Sequence, residues 1–263
     1  MEHLYSILVV YNQPISESIS YNALKKNPDL HLVVCDNSIK DFGNKETVEK
    51  DGQIYLNMGG NIGLAKAYNK ALDYIASINP SMKGYVIIFD DDTEIPDDYF
   101  EKLYTYLESG TADIYLPIVD AGDKRISPSS IHNSRCHEEK DSWNIPSDRL
   151  CGINSGMTIR LALFKDYRYN EDMFLDFVDH DFIRSMHARK ASMRVMDITL
   201  HQNLSTMNDN LEAAIKRFQI HRKDVDIFYR GNLNRRILYH YYMLRLKMEF
   251  VQYQKDIRVF WKY

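Results

Sequence analysis

Tyr85-Val86-Ile87-Ile88-Phe89-Asp90-Asp91-Asp92-Thr93 is the stretch that decides how this chain folds. Its first five residues form a continuous apolar run, short enough for a strand buried on both faces. The run ends in three carboxylates. Adjacent carboxylates repel one another and are costly to hold together. A chain that sets them where a buried strand surfaces offers them to something positive. Hard oxygen ligands favour Mg²⁺ or Mn²⁺, which usually sit between a few carboxylates and a substrate's phosphates. The first expectation is therefore a metal-assisted enzyme acting on a phosphorylated substrate. An acidic triplet after a strand is also a common solvated loop or helix cap, so support must come from elsewhere in the chain.

Working outward, apolar runs at 5–11, 31–35 and 112–118 read as further buried strands. Helical patterns lie between them at Ser16–Lys26, Ile62–Ile78 and Pro96–Leu107. Strands alternating with helices predict an α/β fold with a mainly parallel, helix-covered sheet. Ligands bind at the carboxyl ends of such strands, where Tyr11-Asn12, Asp36-Asn37 and Asp90-Asp91-Asp92 all fall. From Asp120 to Leu150 the pattern dissolves into polar residues and predicts a long loop, a lid or an acceptor-side insertion. Order returns at Cys151–Arg160, then at Met173–Phe182 leading into a helix, then in a strand-like run at Met193–Leu200. The tail is helical, with Leu233, Ile237, Tyr241, Leu244, Met248 and Val251 recurring along one stripe.

The net charge of −4 hides an asymmetry: residues 216–263 carry 12 Lys/Arg against 4 Asp/Glu, and the rest carry 21 against 33. Eleven of the 32 aromatic residues also lie in that basic tail. Such a tail suits peripheral contact with an anionic membrane, or a helical pair that packs on the body or makes a homodimer; the regular stripe favours the pair. The acidic body and the lack of a recognition motif argue against nucleic acid. Cys35, Cys136 and Cys151 lack metal-ligand spacing and read as free thiols in a reducing compartment. With no visible signal peptide and no apolar stretch of membrane-spanning length, the cytoplasm is the expected location, at the inner face of the membrane if the tail docks there.

Other motifs have two readings each. Asp36-Asn37-Ser38 is either ligand-binding or ordinary turn chemistry. The stretch Asn57–Asn69 brings glycines into a helix start that can receive phosphate, or serves close helix–sheet packing. It matches neither the P-loop nor the dinucleotide glycine pattern. Asp176, Asp179 and Asp181 lie among Phe174, Leu175, Phe177, Val178 and Phe182. An apolar setting raises a carboxyl pKa and suits a general base, although one of the three should cap the helix. His201 is a structural histidine or a ligand.

Taken in order, ILVVYN, VVCDNS, NMGGNIGLAKAYN, FDDDT, NSGMTIR and FLDFVDHDF resemble the family 2 glycosyltransferases of GT-A fold, nearest the bacterial surface-polysaccharide and rhamnosyltransferase branch. The resemblance spans about residues 5–205. It implies that Tyr11, Asn12, Asp36 and Asn37 line a pocket for the nucleotide's base and ribose, and that Asn61, Gly63 and Lys66 flank the nucleotide sugar. Asp92 matches the metal-binding carboxylate of the DXD motif, with Asp90 and Asp91 near ribose, sugar or metal-bound water. Asp179 matches the catalytic base. Asn154, Ser155 and Gly156, with Asp176, fall on the acceptor or sugar side. His201, followed by Ser205, matches a histidine that reaches metal or diphosphate in some members. This chain departs from the family in having Val178-Asp179 for the common Glu-Asp, and in lacking the usual Gly near Ala191-Ser192.

The resemblance implies a GT-A catalytic domain at 1–207, with a nucleotide-sugar half at 1–118 and an acceptor half at 119–207, followed by a helical extension at 208–263. The activity implied is Mn²⁺- or Mg²⁺-dependent, inverting transfer from a UDP- or dTDP-sugar to a saccharide or lipid-linked acceptor in surface polysaccharide synthesis. The alternatives are nucleotidyl or phosphoryl transfer on sugar phosphates, or an inactive glycosyltransferase-like subunit. Against nucleotidyl transfer, Tyr11-Asn12-Gln13-Pro14 replaces the Gly/Arg-rich loop expected after its first strand. Against a phosphotransferase using Asp90 as nucleophile, the acidic motif lies mid-chain and Thr93 directly follows Asp92.

Overall fold

In the computed structural model, which describes residues 3–132, 135–139, 141–202, 211–231 and 233–254, strand and helix alternate from the start. The first half contains β1 (Leu4–Val10), α1 (Ile19–Leu24), β2 (Leu30–Asp36), α2 (Asn44–Lys50), β3 (Ile54–Asn57), α3 (Leu64–Ile78), β4 (Tyr85–Asp90), β5 (Thr93–Glu94) and α4 (Tyr99–Ser109). The second half contains β6 (Ile114–Ala121), β7 (Lys124–Ser127), β8 (Ser129–His132), β9 (Arg135–Glu138), β10 (Leu150–Cys151), β11 (Met157–Arg160), α5 (Val178–Ala188), β12 (Met193–Gln202), α6 (Leu211–Phe228) and α7 (Leu233–Gln254).

The main sheet runs β3-β2-β1-β4-β11-β6-β12-β5, with β7 paired to β6. Strands β1 to β4 are mutually parallel, β12 is parallel to β6, and β11 is antiparallel between β4 and β6. The chain leaves β1 toward β2 on one side and returns as β4 on the other. That reversal opens a crevice at the carboxyl ends. Val10 pairs with Asp36 and Val9 with Asp90, so both aspartates stand at the mouth of the crevice.

Strand β4 shows why its apolar run is continuous. Val86 and Ile88 join the core shared with α3 and α5, while Tyr85, Ile87 and Phe89 join the core shared with α1 and α4. Both faces are covered, so every position is apolar. Each fully buried side chain of this kind contributes ~1.5–3 kcal/mol.

The observed elements differ from expectation in four places. Helix α1 starts later than Ser16 because Ile15–Glu17 forms a 3₁₀ turn and Ser18 caps the helix, its side chain accepting from the Tyr21 N–H. Helix α2 and strand β3 were not anticipated; each is short, and α2 buries only Asn44 and Val48. The 120–150 segment is not one long loop, because β8 pairs with β9 and β10 in a separate three-stranded sheet. Leu150 and Cys151 of β10 anchor this small sheet in the core with Ile131 packed against it, but the strands are short and mostly polar, so composition hid it. After α5 the left-handed turn falls on Lys190, a non-glycine at φ +58°, beside the position where the family's Gly is missing.

Helix α7 corrects a further expectation. Leu233, Ile237, Tyr241, Leu244 and Met248, the stripe that favoured packing, are all about half exposed or more. The helix packs through another face, with Tyr239 and Met243 buried and Leu238, Tyr242 and Leu246 against them. Cys35 and Cys151 are buried free thiols; the side chain of Cys136, Ser205 and the 207/208 boundary lie outside the described residues. Among the described residues no helix is long and apolar enough to cross a membrane.

Candidate active site

The carboxylates at the end of β4 form a hydrogen-bonded cluster. Ser155 Oγ lies 2.9 Å from Asp90 Oδ2 and 3.1 Å from Gln202 Oε1. The Gln202 amide donates to Asp90 Oδ2 at 3.2 Å and to Asp92 Oδ1 at 3.3 Å. Gln13 donates to Asp91 Oδ2 at 2.6 Å, and Ser18 holds the Asp91 carbonyl. Ser155 reaches Asp90 because Gly156 turns the chain at φ +75°, where a Cβ would come within 2.4 Å of Leu200 Cδ1. Only glycine fits there.

Burial and then mutual repulsion raise these carboxyls. Asp91 is pushed to about 6 by burial and by Asp92 and Asp90. Asp90 is pushed to about 6 chiefly by burial, with Asp92 and Asp179 adding to it and Ser155 and Gln202 opposing. Burial also raises Asp92. Among the described residues no ion pair reaches any of the three, which leaves a negative cluster without a protein cation. That electrostatic deficit fits a divalent cation. No group of three or more His, Cys, Asp or Glu forms a metal centre among the described residues. A cation bound by one or two carboxylates together with substrate phosphates needs no such group.

These raised carboxyls set a pH dependence for metal-free protein. Their folded pKa values exceed the unfolded value of about 3.9. The native state therefore binds more protons between about 4 and 6, and stability falls as pH rises through that window. Asp91→Asn is expected to raise the melting temperature at pH 7.5 in EDTA by about 2–4 °C, the effect of ~1 kcal/mol in a chain of this size. It should also flatten the slope from pH 7.5 to 5. Melting curves for the two proteins that run parallel across this range contradict the account.

Asp179 faces the same space. It stands in the first turn of α5, after Phe177 in left-handed conformation at φ +61°. Its Oδ1 accepts from the His180 backbone N–H and lies 2.7 Å from His180 Nδ1, while Oδ2 has no protein partner among the described residues. The buried Tyr68 hydroxyl is raised well above its ordinary range by burial, then by Asp90, Tyr169 and Asp179. One hydroxyl thus feels carboxylates from β4 and from α5, and Asp90 feels both Asp92 and Asp179. Asn154 Nδ2 lies 3.4 Å from that hydroxyl.

A second polar group lines the ends of β1 and β2. Asp36 accepts from Ser38 N, Asn44 Nδ2 and Tyr55 OH, at 2.9, 3.0 and 3.0 Å. Asn12 adopts φ +53°, donating its N–H to Ser38 Oγ and accepting from Ile39 N. Asn37 Oδ1 accepts from Ile62 N, tying β2 to the glycine-rich loop, and Asn61 Oδ1 accepts from Gly63 N. Gly63, at φ +87°, packs so tightly that a Cβ would lie 2.7 Å from the Phe174 carbonyl oxygen. Tyr11 and Lys66 are exposed.

Two expected site residues are placed elsewhere. His201 is exposed, and among the described residues no hydrogen bond links it to the aspartates. Side chains alternate along β12, and Gln202 turns to the cluster instead. Asp176 points to α6, where Arg217 grips both its oxygens and His221 Nδ1 lies 3.1 Å from Oδ2. Against the upward pull of burial, these two partners hold its carboxyl down at about 2. Its oxygens are therefore committed to the fold. Gln202 was missed beside a more conspicuous histidine, although strand alternation allows only one of the pair to face inward. Tyr68 was missed because it falls within the apolar face of α3.

A family model described as glycosyl transferase family 2 matches residues 7–190. The dTDP-rhamnosyl transferase RfbF of Shigella flexneri is 25% identical over 191 residues, covering 68% of this chain and 62% of that protein. This chain therefore spans less than two thirds of that relative's length. Among solved structures, S. aureus TarS 1–349 superposes with a TM-score of 0.52 at 17% identity, over 87% of this chain and 66% of TarS. The glucosyl-3-phosphoglycerate synthase from Mycobacterium tuberculosis, crystallised with Mn²⁺, UDP and glucosyl-3-phosphoglycerate, superposes at 0.56 and 10% identity, over 88% and 82%. Those likenesses show the fold, which is GT-A. With the family model covering well over half its length, this chain belongs to glycosyl transferase family 2.

Proposed function

We propose that this protein moves a sugar, with inversion, from a nucleotide-diphosphate donor to a hydroxyl of a saccharide or lipid-linked saccharide acceptor. The observation that carries the reading is the Asp90–Asp92 cluster, which no cation of the described residues pairs, with Asp179 in electrostatic reach of both Asp90 and the buried Tyr68 hydroxyl. The names of the relatives support a UDP- or dTDP-sugar as donor, dTDP-rhamnose first among them. The pocket residues for base and ribose are Tyr11, Asn12, Asp36 and Asn37, with Asn61, Gly63 and Lys66 beside the diphosphate sugar.

Asp92 and the substrate's own phosphates would hold Mn²⁺ or Mg²⁺, which would supply positive charge to the departing diphosphate. Ser155 and Gln202 fix Asp90 and Asp92, and Asn154 offers an Oδ1 that no described residue satisfies. Asp179 takes the acceptor hydroxyl's proton on the free Oδ2 as the acceptor oxygen attacks the anomeric carbon. The bond from that carbon to the diphosphate breaks on the opposite face, and configuration inverts.

A thermal-shift screen of UDP-, dTDP- and GDP-sugars with and without Mn²⁺ tests the donor class. Saturation at 100 times Kd adds about 2.7 kcal/mol of stability. One nucleotide class is expected to give this shift only with the metal, followed by slow release of its nucleoside diphosphate. A screen without any shift removes the donor reading. Phosphate release from simple phosphate esters would favour the phosphotransferase, and donor binding without hydrolysis or transfer would favour an inactive subunit.

We infer in addition that α7 lies on an anionic lipid surface. Its outward Leu233, Ile237, Leu244 and Met248 share the helix with Arg235, Arg236, Arg245 and Lys247 against Glu249. Wild-type protein should co-sediment with phosphatidylglycerol vesicles but not phosphatidylcholine vesicles, and Leu244→Glu should release it. Binding indifferent to lipid charge, or a dimer that Leu244→Glu dissolves, refutes this.

A further inference from the structure

Helix α6 lies beyond residue 190, where the family match ends, yet it holds the segment that leads to Asp179. Asp224, on α6, is fully buried. Its carboxylate accepts three consecutive backbone N–H groups, from Phe174 at 2.8 Å, Leu175 at 2.8 Å and Asp176 at 2.9 Å. The same helix supplies Arg217 and His221 to the Asp176 side chain. On the other side of this loop, the Phe174 carbonyl accepts from Leu64 N at 2.7 Å, at the start of α3. The next residue, Phe177, is the left-handed one, and rings from α6 and α7 enclose it: Phe228 at 4.9 Å, His221 at 5.8 Å and Tyr242 at 5.9 Å between centroids.

A left-handed phenylalanine persists only where its surroundings over-determine it. Here those surroundings are the C-terminal helices. Asp179 follows two residues later. The loop therefore joins three bodies: the glycine-rich turn on the donor side, the helix bearing the base, and α6.

We propose that Asp224 is a positioning residue for sugar transfer, with α6 acting as a latch that fixes residues 174–177 and thereby the stance of Asp179. This rests on the reading of Asp179 as base. A carboxylate satisfies three converging N–H groups, whereas an asparagine must turn its own NH₂ toward some of them. Displacing a catalytic group by about 1 Å can cost ~10²-fold in rate without touching donor binding.

The test compares wild type with Asp224→Asn and Arg217→Ala, the second altering a half-exposed side chain that leaves the core intact. Amide hydrogen exchange at 174–176, UDP and dTDP affinity with Mn²⁺, and kcat for hydrolysis or transfer of the donor found by screening are measured on each folded protein. For Asp224→Asn the expected result is faster exchange at those amides, a kcat lower by ~10²-fold, and nucleotide Kd within about threefold of wild type. Arg217→Ala should show the same split more mildly, and decides the matter should Asp224→Asn fail to fold. A wild-type kcat in either folded variant overturns the proposal, as does a rate loss that merely tracks lost nucleotide binding. Unchanged exchange at 174–176 overturns the latch even if wild type turns over no donor, a result that would separately sink the transferase reading.

Discussion

Asp179→Asn is expected to slow sugar transfer by roughly 10²–10⁴-fold, the usual contribution of a positioned general base. Nucleotide and metal binding should be unchanged. The substitution keeps the side chain's shape, so Oδ1 can still accept from the His180 N–H and the first turn of α5 stays capped. What disappears is the oxygen that would receive the acceptor's proton. The asparagine presents an NH₂ there, which cannot accept it. Single-turnover transfer, with calorimetric titration of the nucleoside diphosphate in Mn²⁺, separates the two effects. Transfer at the wild-type rate would remove Asp179 from the mechanism. Loss of nucleotide affinity in parallel with rate would make it a structural residue of the donor pocket.

The chain's strongest signals were those that depend on burial. Short fully apolar runs rich in β-branched and aromatic residues, such as Tyr85–Phe89, read as strands covered on both faces, so the sheet's centre and the crevice at its carboxyl ends were legible from residues alone. Short strands of mixed, mostly polar composition were not legible. The β8–β9 hairpin carries Ser, His, Arg and Glu, whose polarity resembles loop. In the site, position along the chain was legible but direction was not. Asp90, Asp92 and Ser155 converge and Asp179 lies in electrostatic reach of Asp90, whereas Asp176, three residues before Asp179, turns to α6 because Arg217 and His221 stand there. His201 and Gln202 are adjacent, and only the pleat decides which reaches the carboxylates. The role of α6 was hidden for a related reason. Asp224 is one of three acidic residues on α6, beside Glu212 and Asp226, and its three partners are backbone N–H groups about fifty residues upstream, which leave no trace in residue type.

Asp92→Ala is the complementary test, since it attacks the donor side and leaves the base alone. Three carboxyls packed at one strand end, each raised by burial, cost the free protein stability. A divalent cation held by Asp92 together with a donor's phosphates would offset that cost. Removing Asp92 would withdraw the proposed metal-binding carboxylate while also relieving repulsion on Asp90 and Asp91. The variant should therefore be at least as thermally stable as wild type in EDTA, yet bind UDP or dTDP in Mn²⁺ on the order of 10²-fold more weakly, the loss expected when several kcal/mol of metal-borne charge stabilisation go. Without metal the two proteins should bind nucleotide alike, through the Asn12 and Asp36 end of the crevice. Identical calorimetric titrations in Mn²⁺ would refute the metal role of Asp92. A variant that loses stability in EDTA would instead mean that the Gln202–Asp92 hydrogen bond holds β12 to the end of β4, and that the carboxylate is structural.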